Sequence, residues 1–502
     1  MLYESTRGKI KDLTSAEVIK IGIAPDGGLF VPKNIVELSK EQQEQLSRLD
    51  YQDLALFLLK QYLSDFNEEE LYKSIINAYN REKFESDEIV PLYRLNESSC
   101  ILELWHGPTC AFKDLALQLL PYLIVLAVSK TEESKEIVIL TATSGDTGKA
   151  ALEGFKDVDG TKIIVFYPYN GVSEIQKMQM ITQEGNNVYP IGIYGNFDEA
   201  QNGVKNLFSD RELTLAMDKN GYKFSSANSI NWGRLVPQIV YYFSAYSNMI
   251  KNNQIKFGEK INVVVPTGNF GNILAAFYAA KMGLPVNKLI CASNENNVLA
   301  EFINTGIYNA KREFKKTISP SMDILISSNL ERLLYEVTGH DSKSVVKWMD
   351  DLKTEGIYEI DAWSKREIKN LFWASYCTED ETLDTIKKVY EDYKYLVDTH
   401  TAVGIGVYWK YTAISGDINT KTVIASTASP FKFNQSVVKA LMGEDRIRGR
   451  SEFELLKMLS DECKVPIPTG LKDLDKKEIK HFTVCPVSEM KKNVECILDL
   501  QI

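Results

Sequence analysis

Histidine is scarce in this 502-residue chain: only His106, His340, His400 and His481 are present, and their positions show no metal-ligand spacing. The seven cysteines are odd in number and scattered, with no CxxC pair. That argues against structural zinc and against a disulfide framework, so no metal site and a reducing, cytoplasmic setting are expected. Positive charge is also in deficit. With 58 Lys+Arg against 68 Asp+Glu the net charge is −10, so counterion release cannot drive sequence-independent nucleic-acid binding. No stretch is long enough to span a bilayer. The most apolar run, Leu115 to Val128, contains Gln118 and Pro121 and falls short of the roughly 20 residues a span requires; it reads as buried core, and no membrane partner is expected. The opening MLYESTRGKIKDL has no apolar h-region, so no secretory signal is expected there.

What is present is ordinary globular material. Hydrophobic residues make up 44% and charged residues 25%, as in a soluble protein with full cores. Residues 1 to about 95 read as mostly helical, with a turn at Pro25-Asp26-Gly27-Gly28 before the extended LFVP. From there the style changes to strand–helix alternation. EIVILTAT, TKIIVFYP and NVYPIGIYG are strands, each followed by a helical pattern, and INVVV, LICASN and KTVIASTA continue the series. Near-continuous apolar strands alternating with helices imply parallel sheets covered on both faces. The expected architecture is α/β: two parallel-sheet units with a site between them, preceded by the helical N-terminal region. The expected boundaries are 1–95 for the N-terminal domain and 96–502 for the core, with a smaller α/β subdomain nested at about 125–225. The span from 300 to 420 and the last forty residues carry no legible motif.

Two glycine-rich loops sit where strands open into helices. Thr267-Gly268-Asn269-Phe270-Gly271-Asn272 follows INVVV, and Thr143-Ser144-Gly145-Asp146-Thr147-Gly148-Lys149 follows EIVILTA. Glycines there serve either a tight turn alone or an anion, because consecutive N–H groups converge at the positive end of a helix. The second loop is not a nucleotide P-loop. GxxxxGK[ST] requires Gly at 143 and Ser or Thr at 150, where the chain has Thr143 and Ala150.

Lys113, in HGPTCAFKDLALQLL, stands at the mouth of a buried segment between Phe112 and Asp114. It either snorkels or pairs with Asp114, or it is a partly desolvated amine whose lowered pKa suits covalent chemistry. NSINWGR brings Asn228, Ser229, Asn231 and Arg234 within seven residues: two amides, a hydroxyl and a guanidinium, either a good donor set for phosphate or, as is more common for such a string, a polar loop with a surface arginine. An anionic ligand would meet a repulsive global field, so the pocket must supply local dipoles and a few cations.

Together these segments resemble a known family. HGPTCAFKD, TATSGDTGKAA, NSINWGR, PTGNFGN and STASPFKF occur in the order seen in threonine synthases, which are pyridoxal-phosphate enzymes of fold type II. STRG, DGGLFVP and SPSMDILISSNLERLL also resemble signatures of that family. The likeness runs from about residue 5 to about residue 435.

The resemblance implies roles. Lys113 would be the Schiff-base lysine and proton shuttle, with Phe112 beside it. Gly268, Asn269, Phe270, Gly271 and Asn272 would hold the cofactor phosphate, and Thr427 would face the pyridine nitrogen. Thr143, Ser144, Gly145, Asp146 and Thr147 would grip the substrate carboxylate, while Asn228, Ser229 and Arg234 would bind its phosphate. The implied reaction is O-phospho-L-homoserine and water to L-threonine and phosphate. A related phospho-lyase releasing a 2-oxo acid and a non-catalytic pyridoxal-phosphate binder are the alternatives. Ser429 stands where relatives often have histidine, and Asn272 where many have aspartate. Oligomeric state is not legible.

Overall fold

The computed structural model describes residues 1–500. The N-terminal region folds as expected for its amphipathic helices. Thr14 and Ser39 each close a capping box over the helices Ser15–Ile21 and Lys40–Leu46, which satisfies N–H groups that would otherwise be orphaned. Leu54, Ala55, Leu58, Leu59 and Tyr62 of the helix Tyr51–Tyr62 are buried, and a small antiparallel pair, Tyr3–Ser5 with Phe30–Pro32, completes the region.

The large sheet has six strands in the order Phe372–Tyr376, Val286–Ser293, Ile261–Pro266, Thr422–Ser426, Ser99–Glu103, Leu92–Arg94. All neighbours are parallel except the last pair. Side chains alternate faces along a strand, and the register makes this visible. Ile290, Val264, Ile424 and Ile101 lie in line across the sheet and join one hydrophobic cluster. Their neighbours Leu289, Val263, Val423 and Leu102 join the other. Both faces are buried, which is why these strands read as continuous apolar runs.

The second sheet is wholly parallel, in the order Val484–Pro486, Val188–Tyr194, Thr161–Pro168, Glu136–Ala142, Tyr222–Ser225. Ile137, Ile139, Ile163 and Val165 face the main core. Val138, Leu140, Ile164 and Phe166 face a separate cluster with Met490, Val494 and Leu498. The C-terminal segment therefore supplies an edge strand and part of the cover for this sheet.

The apolar run at 115–128 is mostly core, with Val125 exposed, and is split into helices Lys113–Leu117 and Leu120–Lys130. Pro121 falls in the first turn of the second, where its missing N–H costs nothing. The 300–420 span contributes the edge strand Phe372–Tyr376 and the buried helix Thr399–Ser415, which packs on the large sheet. Among the described residues no helix is long and apolar enough to cross a membrane.

Candidate active site

The site forms where strands of both sheets end and loops turn into helices, the usual place for ligands in open α/β sheets. After the strand Ile261–Pro266, the chain turns through Thr267–Phe270 into the helix Gly271–Lys281. The sequence pattern places this helix start at Ile273; it begins two residues earlier because Phe270, at φ 64°, completes the turn in the left-handed region. Holding a bulky residue there costs about 1–3 kcal/mol and marks a loop fixed by its surroundings. Among the described residues, the N–H groups of Gly268 through Ile273 find no protein acceptor. Six consecutive free donors at a helix N-terminus make an anion cradle.

Gly268 is required for space. A Cβ there would sit 2.5 Å from the carbonyl oxygen of Ser321, and backbone cannot yield cheaply. Gly268→Ala should cost about 1–3 kcal/mol; if, as the resemblance implies, the loop holds the cofactor phosphate, this reads as a cofactor affinity weaker by about 5- to 150-fold. Absorbance titration checks this, and an unchanged affinity would mean the loop is not the cradle.

The 109–113 stretch is pinned against 427–429. Ala111 pairs with Ala428, Phe112 N–H donates to Thr427 O (2.9 Å) and Ser429 N–H to Cys110 O (3.1 Å). This bridge joins two segments far apart in sequence and sets Lys113 next to Thr427. The Thr427 side chain is buried, and its hydroxyl has no protein hydrogen-bond partner among the described residues. Ser429 is fully buried and caps the turn Pro430–Phe433.

Lys113 is buried. It does not pair with Asp114, whose carboxylate instead accepts from Thr109 N–H and Oγ1 (2.8 and 2.6 Å). Its Nζ lies 3.3 Å from Asp146 Oδ2, 3.4 Å from Ser321 Oγ and 5.0 Å from the centre of the Phe112 ring. Burial lowers the Lys113 pKa, opposed by Asp146 and assisted by Lys432 and Arg234. The desolvated-amine reading thus describes this residue better than the snorkelling one.

The second loop corrects part of the sequence reading. The Asp146 side chain is not a donor to an anion, since its carboxylate is clamped between Lys113 and Lys432 (Nζ to Oδ1, 2.7 Å) and accepts from Gln176 Nε2 (2.9 Å). Thr143 also serves the loop itself, with Oγ1 accepting from the N–H groups of Gly145 and Gly148 (3.0 and 2.8 Å). Gly145, at φ 137°, makes the turn. What the loop retains for an anion is the backbone N–H of Ser144, Asp146 and Thr147, which find no protein acceptor among the described residues.

In NSINWGR, Asn231 is structural: it caps the short helix Trp232–Leu235 and donates to Ile19 O and Ser226 O (both 3.0 Å). Arg234 is buried and donates only to Ala227 O (2.9 Å). Its Nε has no partner, and no carboxylate lies within ion-pair distance among the described residues. Burial lowers its pKa to about 10. Ser229 Oγ accepts from Asn329 Nδ2 (3.0 Å), which also donates to Asn269 O (2.9 Å), so the NSINWGR segment and the cradle loop share a brace. Asn228 is half-buried, with its N–H donated to Ser226 Oγ (3.1 Å).

Several residues escape a sequence reading. Lys432 and Ser321 touch the Asp146–Lys113 pair. His400 Nε2 accepts from Ser321 N–H (3.1 Å) while its Nδ1 faces Asp398 Oδ2 (2.7 Å); Nδ1 therefore carries the proton. Arg332, fully buried without a carboxylate partner, donates to the backbone carbonyls of Phe30 and Ile230 (2.9 and 2.6 Å) and to Asn329 Oδ1. Asn272 Oδ1 accepts from Tyr241 and Tyr242, leaving a buried Nδ2 without a partner. Lys432 belongs to the STASPFKF segment, and its place between Phe431 and Phe433 is its one signal in the sequence.

The residues fit pyridoxal phosphate on this structure's own terms. The free N–H cradle suits its phosphate, Lys113 offers a buried amine to its aldehyde, and the unpartnered Thr427 hydroxyl suits an uncharged ring nitrogen.

Comparison with known proteins agrees. Residues 2–79 match the family described as threonine synthase N terminus, residues 88–427 the pyridoxal-phosphate dependent enzymes, and residues 401–497 the threonine synthase C-terminal family. Threonine synthase of Pseudomonas aeruginosa is 38% identical over 446 residues, covering 88% of this chain and 91% of that protein. Threonine synthase-like 1 of Pongo abelii is 38% identical over 97% of this chain, which spans 66% of that relative's length. The crystal structure of yeast threonine synthase superposes with a TM-score of 0.88 at 35% identity, covering 99% of each chain. That of the pyridoxal-phosphate-bound Brucella melitensis enzyme gives 0.87, also at 35% and 99% coverage of each. The chain belongs to the threonine synthase family of pyridoxal-phosphate-dependent enzymes.

Proposed function

We propose that this protein converts O-phospho-L-homoserine and water to L-threonine and phosphate. The observation that carries the reading is a buried amine, Lys113, grouped with two kinds of anion donor: free N–H groups at two helix starts and the uncountered Arg234 guanidinium. We assign the cofactor phosphate to the Gly268–Asn272 loop and the ring nitrogen to Thr427. The substrate carboxylate falls to the N–H groups of Ser144, Asp146 and Thr147, and its phosphate to Asn228, Ser229 and Arg234. The same proposal takes residues 1–95 as an N-terminal unit and 96–502 as the catalytic core, with the smaller unit nested at about 125–225, in the cytoplasm.

When bound, pyridoxal phosphate supplies an electron sink for negative charge at substrate carbon. Lys113 Nζ, in its uncharged form, removes the α-proton, and a proton then leaves Cβ so that phosphate can depart from Cγ. General acid–base transfer of this kind requires an amine whose pKa is brought toward neutrality, and burial of Lys113 acts in that direction. Arg234 and its neighbours hold the phosphate and stabilise the charge it carries away, binding energy that is realised at the step where the bond breaks. Water adds at Cβ, and protons returned to Cγ and Cα complete the product.

The test is product analysis. Protein loaded with cofactor and given O-phosphohomoserine should release threonine and phosphate in equal amounts. Phosphate accompanied by 2-oxobutyrate without threonine would make it a phospho-lyase, and no turnover of a protein that has captured the cofactor would leave a carrier.

A further inference from the structure

Three charges are buried together beneath the proposed site. Lys113, Asp146 and Lys432 are each at least nine-tenths buried, and the carboxylate stands between the two ammonium groups. Lys432 comes from the turn Pro430–Phe433, some 300 residues from Lys113, yet it also donates to Thr109 O (2.9 Å). Thr109 in turn holds Asp114, so Lys432 braces the turn that opens the helix carrying Lys113.

The arithmetic of charge gives Lys432 a role. With Lys113 protonated, two cations and one anion leave the cluster at +1; when Lys113 loses its proton the cluster is neutral. Without Lys432 the same event would strand a carboxylate alone in the interior, which is strongly unfavourable, and Lys113 would be held as the ammonium. We propose that Lys432 is a positioning residue for Lys113, keeping Asp146 paired whenever the Lys113 amine gives up its charge and so keeping that amine usable as nucleophile and base. The inference deepens the functional reading above and rests on it.

The surrounding groups do not duplicate this service. Arg234 pushes on Lys113 with the same sign but makes no ion pair with Asp146 among the described residues. Asp114, raised to about 6 by burial, and Cys110, pushed up by burial, feel Lys432 without contacting Lys113 Nζ. Glu153 is paired with Lys149 (2.9 Å) and acts on Asp114, Gln176 is uncharged, and His400 reaches the cluster only through the N–H of Ser321. Burial alone would raise the Asp146 pKa; Lys432 first, and Lys113 second, outweigh it and hold the carboxyl well below the usual range.

The experiment is the pH dependence of covalent cofactor capture by the cofactor-free protein. Capture joins the Lys113 nitrogen to the aldehyde carbon of pyridoxal phosphate with loss of water, and only the uncharged amine can do so. It is read from the visible absorbance band and, after borohydride reduction, from the mass of the Lys113 peptide. Lys432→Met should move the capture midpoint up by about one pH unit, a tenfold smaller uncharged fraction at any pH below it. Lys432→Arg should stay near wild type. Asp146→Asn should move the midpoint down, and the double variant Lys432→Met/Asp146→Asn should lie close to Asp146→Asn, because no carboxylate is left for Lys432 to pair. If Lys432→Met does not fold, the last two still decide. An unshifted Lys432→Met midpoint, or a double variant well above Asp146→Asn, would overturn the role of Lys432 alone, whereas a wild-type protein that captures no cofactor at Lys113 would overturn the functional reading as well.

Discussion

Lys113→Ala protein is expected to fold, to show no visible cofactor band and to lose turnover by about 10⁴-fold or more, the upper range for removing a group that acts as both nucleophile and proton carrier. Folding should survive because the substitution leaves Asp146 with Lys432 at 2.7 Å, a neutral pair rather than a stranded charge. Lys113→Arg should behave alike despite keeping a cation, since a guanidinium cannot surrender its proton in this range. Borohydride trapping followed by peptide mass identifies the attachment point. A cofactor band that persists in Lys113→Ala, with label on another lysine, would contradict the assignment.

The second large effect is at Arg234. A buried guanidinium without a carboxylate partner costs stability in the empty protein and recovers that cost only when an anion binds. Arg234→Met should therefore raise KM for O-phosphohomoserine about 30- to 1,000-fold, equivalent to about 2–4 kcal/mol for losing one partner of a buried charge pair. The melting temperature of the cofactor-free protein should be no lower than that of wild type, and cofactor affinity should hold. Steady-state kinetics, calorimetry and cofactor titration separate these outcomes. Loss of the cofactor together with substrate affinity would place Arg234 at the cofactor phosphate instead.

Much of this molecule was legible before any coordinates, for identifiable reasons. The strands INVVV and EIVILTA read correctly because both faces are buried and most positions are apolar. Their loops read as tight turns open to an anion because glycines at a strand-to-helix turn let the backbone close tightly and its N–H groups converge. What stayed hidden depends on long-range contacts. Lys432 matters because the chain folds it onto Asp146, and His400 because its ring accepts from Ser321 seventy-nine residues away. No local spacing encodes either. Asp146 misled because its motif position says anion loop while its side chain, placed between two lysines, is the counter-charge. Residues 484–486 were silent because three residues are too few to show a strand period, although they extend a sheet.

The net charge of −10 no longer opposes an anionic ligand. The positive groups are few and buried, with Arg234 and Arg332 uncountered and Lys432 holding a carboxylate in check. Surface acid screens nothing at that depth, so local dipoles and these cations set the potential the ligand meets.

The most direct measurement is the product assay run in ¹⁸O-labelled water. The account predicts threonine carrying one labelled oxygen in its side-chain hydroxyl and phosphate carrying none, because phosphate leaves with its own bridging oxygen and water enters at Cβ. Label in phosphate would show hydrolysis at phosphorus, and a labelled 2-oxo acid in place of threonine would show elimination without water addition at Cβ; either result would contradict it.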